Sequence, residues 1–201
     1  MRFTRTFMGA MPALLLIAGC QQPEPLTTEA KSEAIQAPSA QSLVERGNYL
    51  VSAGGCNDCH TPKKMGPNGP EPDMSRELSG HPSNEKLANV PAGLIAPDRW
   101  GTVTNNHLTA WVGAWGVSFA MNLTPDKTTG IGSWTPEMFV NALRTGKHQG
   151  AGRPILPPMP WNWYRNMTDD DLNAIFAYLQ SLPAVNNPIP EPLPPDQIPL
   201  S

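Results

Sequence analysis

The chain has 201 residues, of which 39% are hydrophobic and 15% are charged, so its length fits one folded domain with a core of its own. Its 14 Lys and Arg residues against 17 Asp and Glu residues give a formal net charge of −3. No basic stripe interrupts this mildly acidic balance, so nucleic acid is not an expected partner.

The first twenty residues have the pattern of an export signal. Arg2 and Arg5 precede an apolar run over residues 7–18, which is shorter than the roughly 20 apolar residues of a transmembrane helix. The run ends in LIAGC, which resembles the lipobox of bacterial lipoproteins. That resemblance implies lipidation of Cys20 on the periplasmic side of a bacterial cell envelope, and Gln21 favours the outer membrane. An ordinary signal peptide and a short membrane anchor remain alternatives.

Composition divides the chain into four segments. The signal covers residues 1–19, and a Gln-, Pro- and Ser-rich stretch over 20–41 is predicted to be a flexible tether. The folded domain is predicted over 42–183, with a Gly- and Pro-rich insertion at 67–118. Prolines dominate 184–201, so this tail is predicted to lie extended on the surface or to hang free.

A first helix is predicted to begin at Ser42. Glu45 follows three residues later, which is the capping-box spacing. Four residues then share one helical face, Leu43, Gly47, Leu50 and Val51. The helix is predicted to end near Gly54.

A second helix is predicted to follow Thr135 as its N-cap. Pro136 occupies the first helical position, and Gly146 provides a C-terminal stop. Met138 belongs to the apolar stripe of this helix and is predicted to be a core residue.

A third helix is predicted to begin after Thr168 and to end before Pro183. Three aspartates fill its first turn, where negative charge is stabilised by the helix dipole. Its apolar positions repeat at helical spacing, at Leu172, Ile175, Phe176 and Leu179. Between the first two helices, residues 109–123 are rich enough in aromatic and β-branched residues to predict a short β-hairpin.

The motif CNDCH, which contains Cys56, Cys59 and His60, carries the strongest functional signal. Its C-x-x-C-H spacing is typical of covalent haem c attachment, because two thiols one helical turn apart can reach the two vinyl groups of a haem. His60 then supplies an imidazole to the iron. A zinc site would need further ligands, and a redox dithiol of the thioredoxin type would need a βαβ context that the flanks lack.

A sixth ligand to the iron is predicted at Met159. It lies in the proline-bracketed stretch PILPPMPW, which holds a thioether with little conformational freedom left to lose. Three other residues remain alternatives, Met167, Met121 and His148. Each of the histidines at 81, 107 and 148 has polar, Gly- or Asn-rich neighbours and is predicted to be a surface residue.

Three blocks, at residues 45–62, 122–161 and 167–183, resemble bacterial class I-type cytochromes c with one haem, and in particular the haem domains of cytochrome subunits of periplasmic dehydrogenases. The resemblance implies an all-α cytochrome c fold whose first and last helices cross near Gly47 and Tyr178. It implies haem c on Cys56 and Cys59.

The same resemblance implies His60 and Met159 as axial ligands of the haem iron. The chain departs from many of these proteins in having one haem motif, and the 67–118 insertion matches nothing in them.

The resulting hypothesis is a membrane-tethered electron carrier without catalytic residues of its own. Its expected partners are a dehydrogenase or respiratory donor, a cytochrome or oxidase acceptor, and a membrane reached through the lipid on Cys20. A haem enzyme, either peroxidase-like or sulfur-compound oxidising, and a haem sensor are the alternatives. Both would need a labile sixth ligand.

Overall fold

The computed structural model describes residues 39–201. The predicted signal at 1–19, the lipidation site Cys20 and the tether up to residue 38 lie outside the described residues. Within the described part, no helix is both long enough and apolar enough to cross a bilayer.

Helices form the framework around the candidate site. Their bounds are α1 Ala40–Ala53, α2 Cys56–His60, α3 Pro136–Thr145, α4 Trp161–Tyr164 and α5 Asp169–Ser181. Short 3-10 turns occur at Met74–Arg76, His148–Gly150 and Pro195–Gln197.

Two small antiparallel sheets lie between α2 and α3. The first pairs β1 Lys63–Gly66 with β2 Gly69–Pro72. The second has the order β3-β4-β5, formed by Thr102–Thr104, Ala110–Gly113 and Gly116–Phe119. The fold class is therefore helical around the core but not all-α. The β4–β5 hairpin confirms the hairpin predicted over 109–123, whereas β1, β2 and β3 were not predicted.

The ends of α3 and α5 confirm the sequence prediction. Thr135 Oγ1 accepts a hydrogen bond from the Met138 amide, and Gly146 ends α3 in the left-handed region at φ 67°. Thr168 Oγ1 likewise accepts from the Asp171 amide at 3.1 Å and caps α5. These caps use side chains within three residues of the helix start, so a local pattern is enough to find them.

The predicted start of α1 at Ser42 is wrong. The N-cap is Ser39, whose Oγ accepts from the Ser42 amide at 3.1 Å, and the helix begins at Ala40. Glu45 accepts a hydrogen bond from the Gln41 side chain instead of closing a capping box. The C-terminal end at Gly54 agrees with the prediction.

The crossing of α1 and α5 is a close approach of two backbones at Gly47. A Cβ atom at Gly47 would overlap the Ala174 carbonyl and lie 2.7 Å from Cβ of Tyr178. The buried core continues from this crossing through side chains of α1, α3, α5 and the loops beside them, namely Val51, Leu78, Ile131, Phe139, Leu143, Leu172, Ile175, Phe176 and Leu179.

A second, smaller apolar cluster lies in the insertion and the tail. Val112 and Val117 of the β4–β5 hairpin pack with Val90, and side chains of the proline-rich tail cover them. Leu193 pairs with Val117 through two backbone hydrogen bonds of 2.8 and 3.0 Å. The tail is therefore extended, as predicted, and it is fixed to the edge of β5 through this pair.

The burial of two residues differs from the prediction. Met138, predicted to be core, is 38% exposed. His81, predicted to be a surface residue, is fully buried, with Nδ1 3.0 Å from Oγ1 of Thr109 and its ring against Phe119. Periodicity marks a helical stripe but not its edges, and polar neighbours in sequence do not fix the neighbours in space.

Replacing Gly47 by alanine tests the crossing of α1 and α5. Alanine favours the helix by about 0.5–1 kcal/mol over glycine, but its methyl group would meet the backbone of α5. We expect the free energy of unfolding, measured by urea titration, to fall by about 1–3 kcal/mol. Gly101→Ala is the control, because a Cβ atom there has open space around it. Equal stability of the two variants would contradict this packing.

Candidate functional site

An apolar cavity of about 380 Å³ opens between the helices and the β4–β5 hairpin. Its lining includes side chains of α1, α3, α5 and the loop before α3, among them Val51, Ile131, Phe139, Leu143, Ile175 and Leu179. The loop over residues 153–160 closes another side. Cofactor and ligand sites typically have volumes of about 300–1,000 Å³ and mainly apolar linings, so the cavity has the size and character of such a site.

The thiols of Cys56 and Cys59 and the imidazole of His60 all line this cavity. The short helix α2 carries them, and its three-residue spacing places both cysteines on one turn. Gly55 precedes the helix in the left-handed region at φ 68°, a backbone conformation that favours glycine. The sequence motif is therefore gathered at one wall of the cavity.

A backbone carbonyl orients the His60 ring. The ring is 8% exposed, and its Nδ1 lies 2.8 Å from the carbonyl oxygen of Met121. Because a carbonyl only accepts, Nδ1 carries the proton and Nε2 of the neutral ring keeps its lone pair. Burial lowers the pKa of His60, and the Met121 carbonyl partly offsets that effect. Burial thus favours the neutral ring, and the hydrogen bond at Nδ1 leaves Nε2 as the nitrogen that can bind a metal.

Burial also raises the pKa values of the two free thiols. It raises the pKa of Cys56 to about 11, and the nearby Cys59 and Asp58 add to the shift. The pKa of Cys59 is raised by burial and by Asp58. Reactive dithiols occur where the surroundings lower the thiol pKa. This environment therefore disfavours the redox dithiol.

Within residues 39–201, no group of three or more His, Cys, Asp or Glu side chains is close enough to hold a metal ion.

Lys63 secures the C-terminal end of α2 in a way that the sequence analysis missed. The residue is 9% exposed, and its ammonium donates to the carbonyls of Asn57, Asp58 and Thr61 at 2.7–3.1 Å. All three ammonium donors are thereby satisfied. Burial lowers the pKa of Lys63, while Asp58 and Cys59 act in the opposite direction. A lysine is rarely buried, so composition and pattern gave no signal for this role.

Met159 also lines the cavity, from the proline-bracketed loop between α3 and α4. The amide of Ile155 donates to the Gly146 carbonyl at 2.8 Å and fixes the start of this loop to the end of α3. The three alternatives line the same cavity, Met121, Met167 and His148. Of these, Met121 belongs to the wall that holds His60, because its carbonyl accepts from that ring.

Polar groups border the cavity beside the loop. Arg153 and His148 line it, and the His148 ring meets Trp134 edge-on at 5.0 Å between centroids. Burial lowers the pKa of His148, and Arg153 lowers it further. Tyr164 lines the cavity too, but its hydroxyl donates to the Gly54 carbonyl at 2.6 Å and ties α4 to the turn before α2.

Comparison with known proteins places these features in context. No family model matches the chain. The fructose dehydrogenase cytochrome subunit of Gluconobacter japonicus is 28% identical over 200 residues, which cover 99% of this chain and 32% of that protein. The gluconate 2-dehydrogenase cytochrome c subunit of Pantoea cypripedii is 31% identical over 137 residues, or 68% of this chain and 22% of that protein.

A third relative is a diheme cytochrome c-type protein of Cereibacter sphaeroides, 27% identical over 183 residues, which cover 89% of this chain and 49% of that protein. The chain thus spans a third or less of the length of the two dehydrogenase subunits and about half of this one. The resemblance predicted from the sequence is confirmed: the chain is similar to cytochrome c subunits of dehydrogenases and to a diheme cytochrome c.

Proposed function

We propose that this chain transfers single electrons through one haem c held in the cavity, with thioether links to Cys56 and Cys59 and with His60 and Met159 as axial ligands. One observation carries the proposal. Two thiols, a neutral imidazole of fixed tautomer and a methionine thioether meet at a single apolar cavity of about 380 Å³. The relatives that are named cytochrome subunits support electron transfer in general.

The residues present fit a haem. The cavity wall is mostly aliphatic and aromatic, which suits a flat apolar macrocycle, and Arg153 and His148 at its border suit the propionates. The chain has three cysteines, and only Cys56 and Cys59 form a C-x-x-C-H motif. One haem per chain is therefore part of the proposal, even though one relative is named diheme.

The haem, when bound, supplies an iron that changes between two oxidation states. The chain's own residues set the conditions for that change. Nε2 of His60 and the Met159 sulfur would hold the iron, and a thioether favours the ferrous state relative to a second nitrogen ligand. The apolar wall raises the cost of an additional buried positive charge. Both effects favour a carrier with a raised reduction potential.

The proposal extends to location and partners. A lipid on Cys20 would hold the chain at a bacterial membrane facing the periplasm, with the outer membrane favoured by Gln21. The donor would be a dehydrogenase, as the names of the relatives suggest, and the acceptor a cytochrome or an oxidase. Redox encounters bury little surface and are brief, so these partners need no large apolar docking face.

Met159→Ala in the haem-loaded full chain tests the axial ligation. We expect the oxidised wild type to be low-spin and to show the weak long-wavelength band of sulfur bound to ferric iron. The band should disappear in the variant, because alanine has no sulfur to offer. Met138→Ala is the matched control, since Met138 is partly exposed and lies outside the cavity. A band that survives in Met159→Ala would exclude Met159 as the ligand and point to Met121 or Met167, which line the same cavity. A high-spin wild type would reopen the enzyme and sensor alternatives.

Lys63→Gln tests the electrostatic part of the proposal. A buried positive charge beside α2 disfavours the ferric site, so its removal should lower the reduction potential. For unit charges about 10–20 Å apart at an effective dielectric constant of about 20, the change is on the order of tens of mV. Lys64→Gln is the control, because the Lys64 side chain is 55% exposed and its charge is screened. Redox titration that finds equal potentials for the two variants would contradict this role of Lys63.

A further inference from the structure

Ser118 connects the β4–β5 hairpin to the loop that carries Met159. The residue is 6% exposed, and its Oγ donates to the Pro157 carbonyl at 2.5 Å. The same Oγ accepts from Nε1 of Trp115 at 3.2 Å. A relay of two hydrogen bonds thus runs from the tip of the hairpin to a backbone oxygen two residues before Met159.

The composition of the loop makes such an external donor important. Pro157, Pro158 and Pro160 have no backbone N–H, so they cannot tie the loop to the rest of the chain as donors. The Ile155 amide holds the start of the loop, but attachment at the prolines themselves must come through carbonyls or side chains. The Ser118 hydroxyl supplies a donor to one of these carbonyls, and it does so from a neighbouring strand that is itself held firmly.

Strand β5 is fixed on both edges. Its register with β4 pairs Ser118 with Trp111 and Val117 with Val112. On the other edge, Val117 exchanges two backbone hydrogen bonds with Leu193 of the tail. Ser118 therefore projects from a backbone that neighbours hold on both sides, which makes it a rigid point of attachment.

The same short segment also reaches the opposite wall of the site. Three residues after Ser118, the Met121 carbonyl accepts the hydrogen bond from Nδ1 of His60. Residues 118–121 thus connect the loop of Met159 to the ring of His60. A shift of β5 relative to the loop would change the separation between the two proposed axial ligands.

We propose that Ser118 is a positioning residue that keeps the Met159 loop closed over the cavity and so limits displacement of the methionine by outside ligands. This inference rests on the proposed His60 and Met159 ligation. Loss of the hydroxyl leaves the Pro157 carbonyl without this donor, and the loop opens more often. An outside ligand that competes with Met159 then binds with higher apparent affinity, because more of the protein is in the open state.

The test is a titration of the oxidised, haem-loaded full chain with imidazole, followed by loss of the sulfur-to-iron band. We expect Ser118→Ala to raise the apparent imidazole affinity roughly threefold to tenfold, the factor that one net hydrogen bond supplies. Thr102→Val is the matched control. The Thr102 hydroxyl donates to the Val112 carbonyl of the same sheet at 3.0 Å, so this variant also removes a hydroxyl that donates to a backbone carbonyl. That hydrogen bond does not involve the loop of Met159. The affinity of Thr102→Val should equal that of the wild type.

Conservative variants complete the test. Ser118→Thr keeps the hydroxyl and should bind imidazole more weakly than Ser118→Ala. If Ser118→Ala does not fold, Trp115→Phe removes the indole donor to Ser118, together with part of the ring, and should raise the affinity in the same direction. If the wild type shows the band but Ser118→Ala binds imidazole no more tightly than the wild type or Thr102→Val, the role of Ser118 is overturned and the proposed ligation stands. A wild type without the band would instead overturn the ligation, and the inference with it.

Discussion

The hydrogen bond between Nδ1 of His60 and the Met121 carbonyl is the constraint on which the site depends. It fixes the tautomer of a buried ring and leaves Nε2 free to bind. It also joins two parts of the chain that are 61 residues apart, the short helix α2 and the segment after the hairpin. Strand β5 holds the backbone that precedes this carbonyl, and the β4–β5 hairpin also lines the cavity through Trp111, Ser118 and Phe119, so the hairpin is part of the site.

Two walls, packed in different ways, enclose the cavity. The crossing of α1 and α5 at Gly47 brings two backbones together and sets the helical wall, on which α3 packs through Phe139 and Phe176. The hairpin and the proline-rich tail form the other wall, with a small apolar cluster of their own. Lys63 closes the end of α2 by satisfying three carbonyls at once. The apolar surroundings of the thiols and the imidazole follow from this arrangement, and with them the directions of their pKa shifts.

The features that were predicted correctly from the sequence are those that depend on contacts within a few residues. Thr135, Gly146 and Thr168 end or begin helices through contacts within a few residues, and the C-x-x-C-H spacing places its three side chains on one short helix. The predicted start of α1 was wrong because two serines near it, Ser39 and Ser42, can each cap a helix, and it is the Ser39 hydroxyl that accepts the amide hydrogen bond. The roles of Ser118 and of the Met121 carbonyl depend on pairing across long separations, and a backbone carbonyl leaves no mark in a sequence pattern.

Mass spectrometry of the full chain, produced with c-type haem maturation, tests the covalent attachment of one haem to α2. We expect an intact mass increased by one haem, with the added mass on the peptide that contains Cys56 and Cys59. A peptide of unmodified or disulfide-linked cysteines, from a protein that is otherwise folded, would show that α2 does not carry the haem.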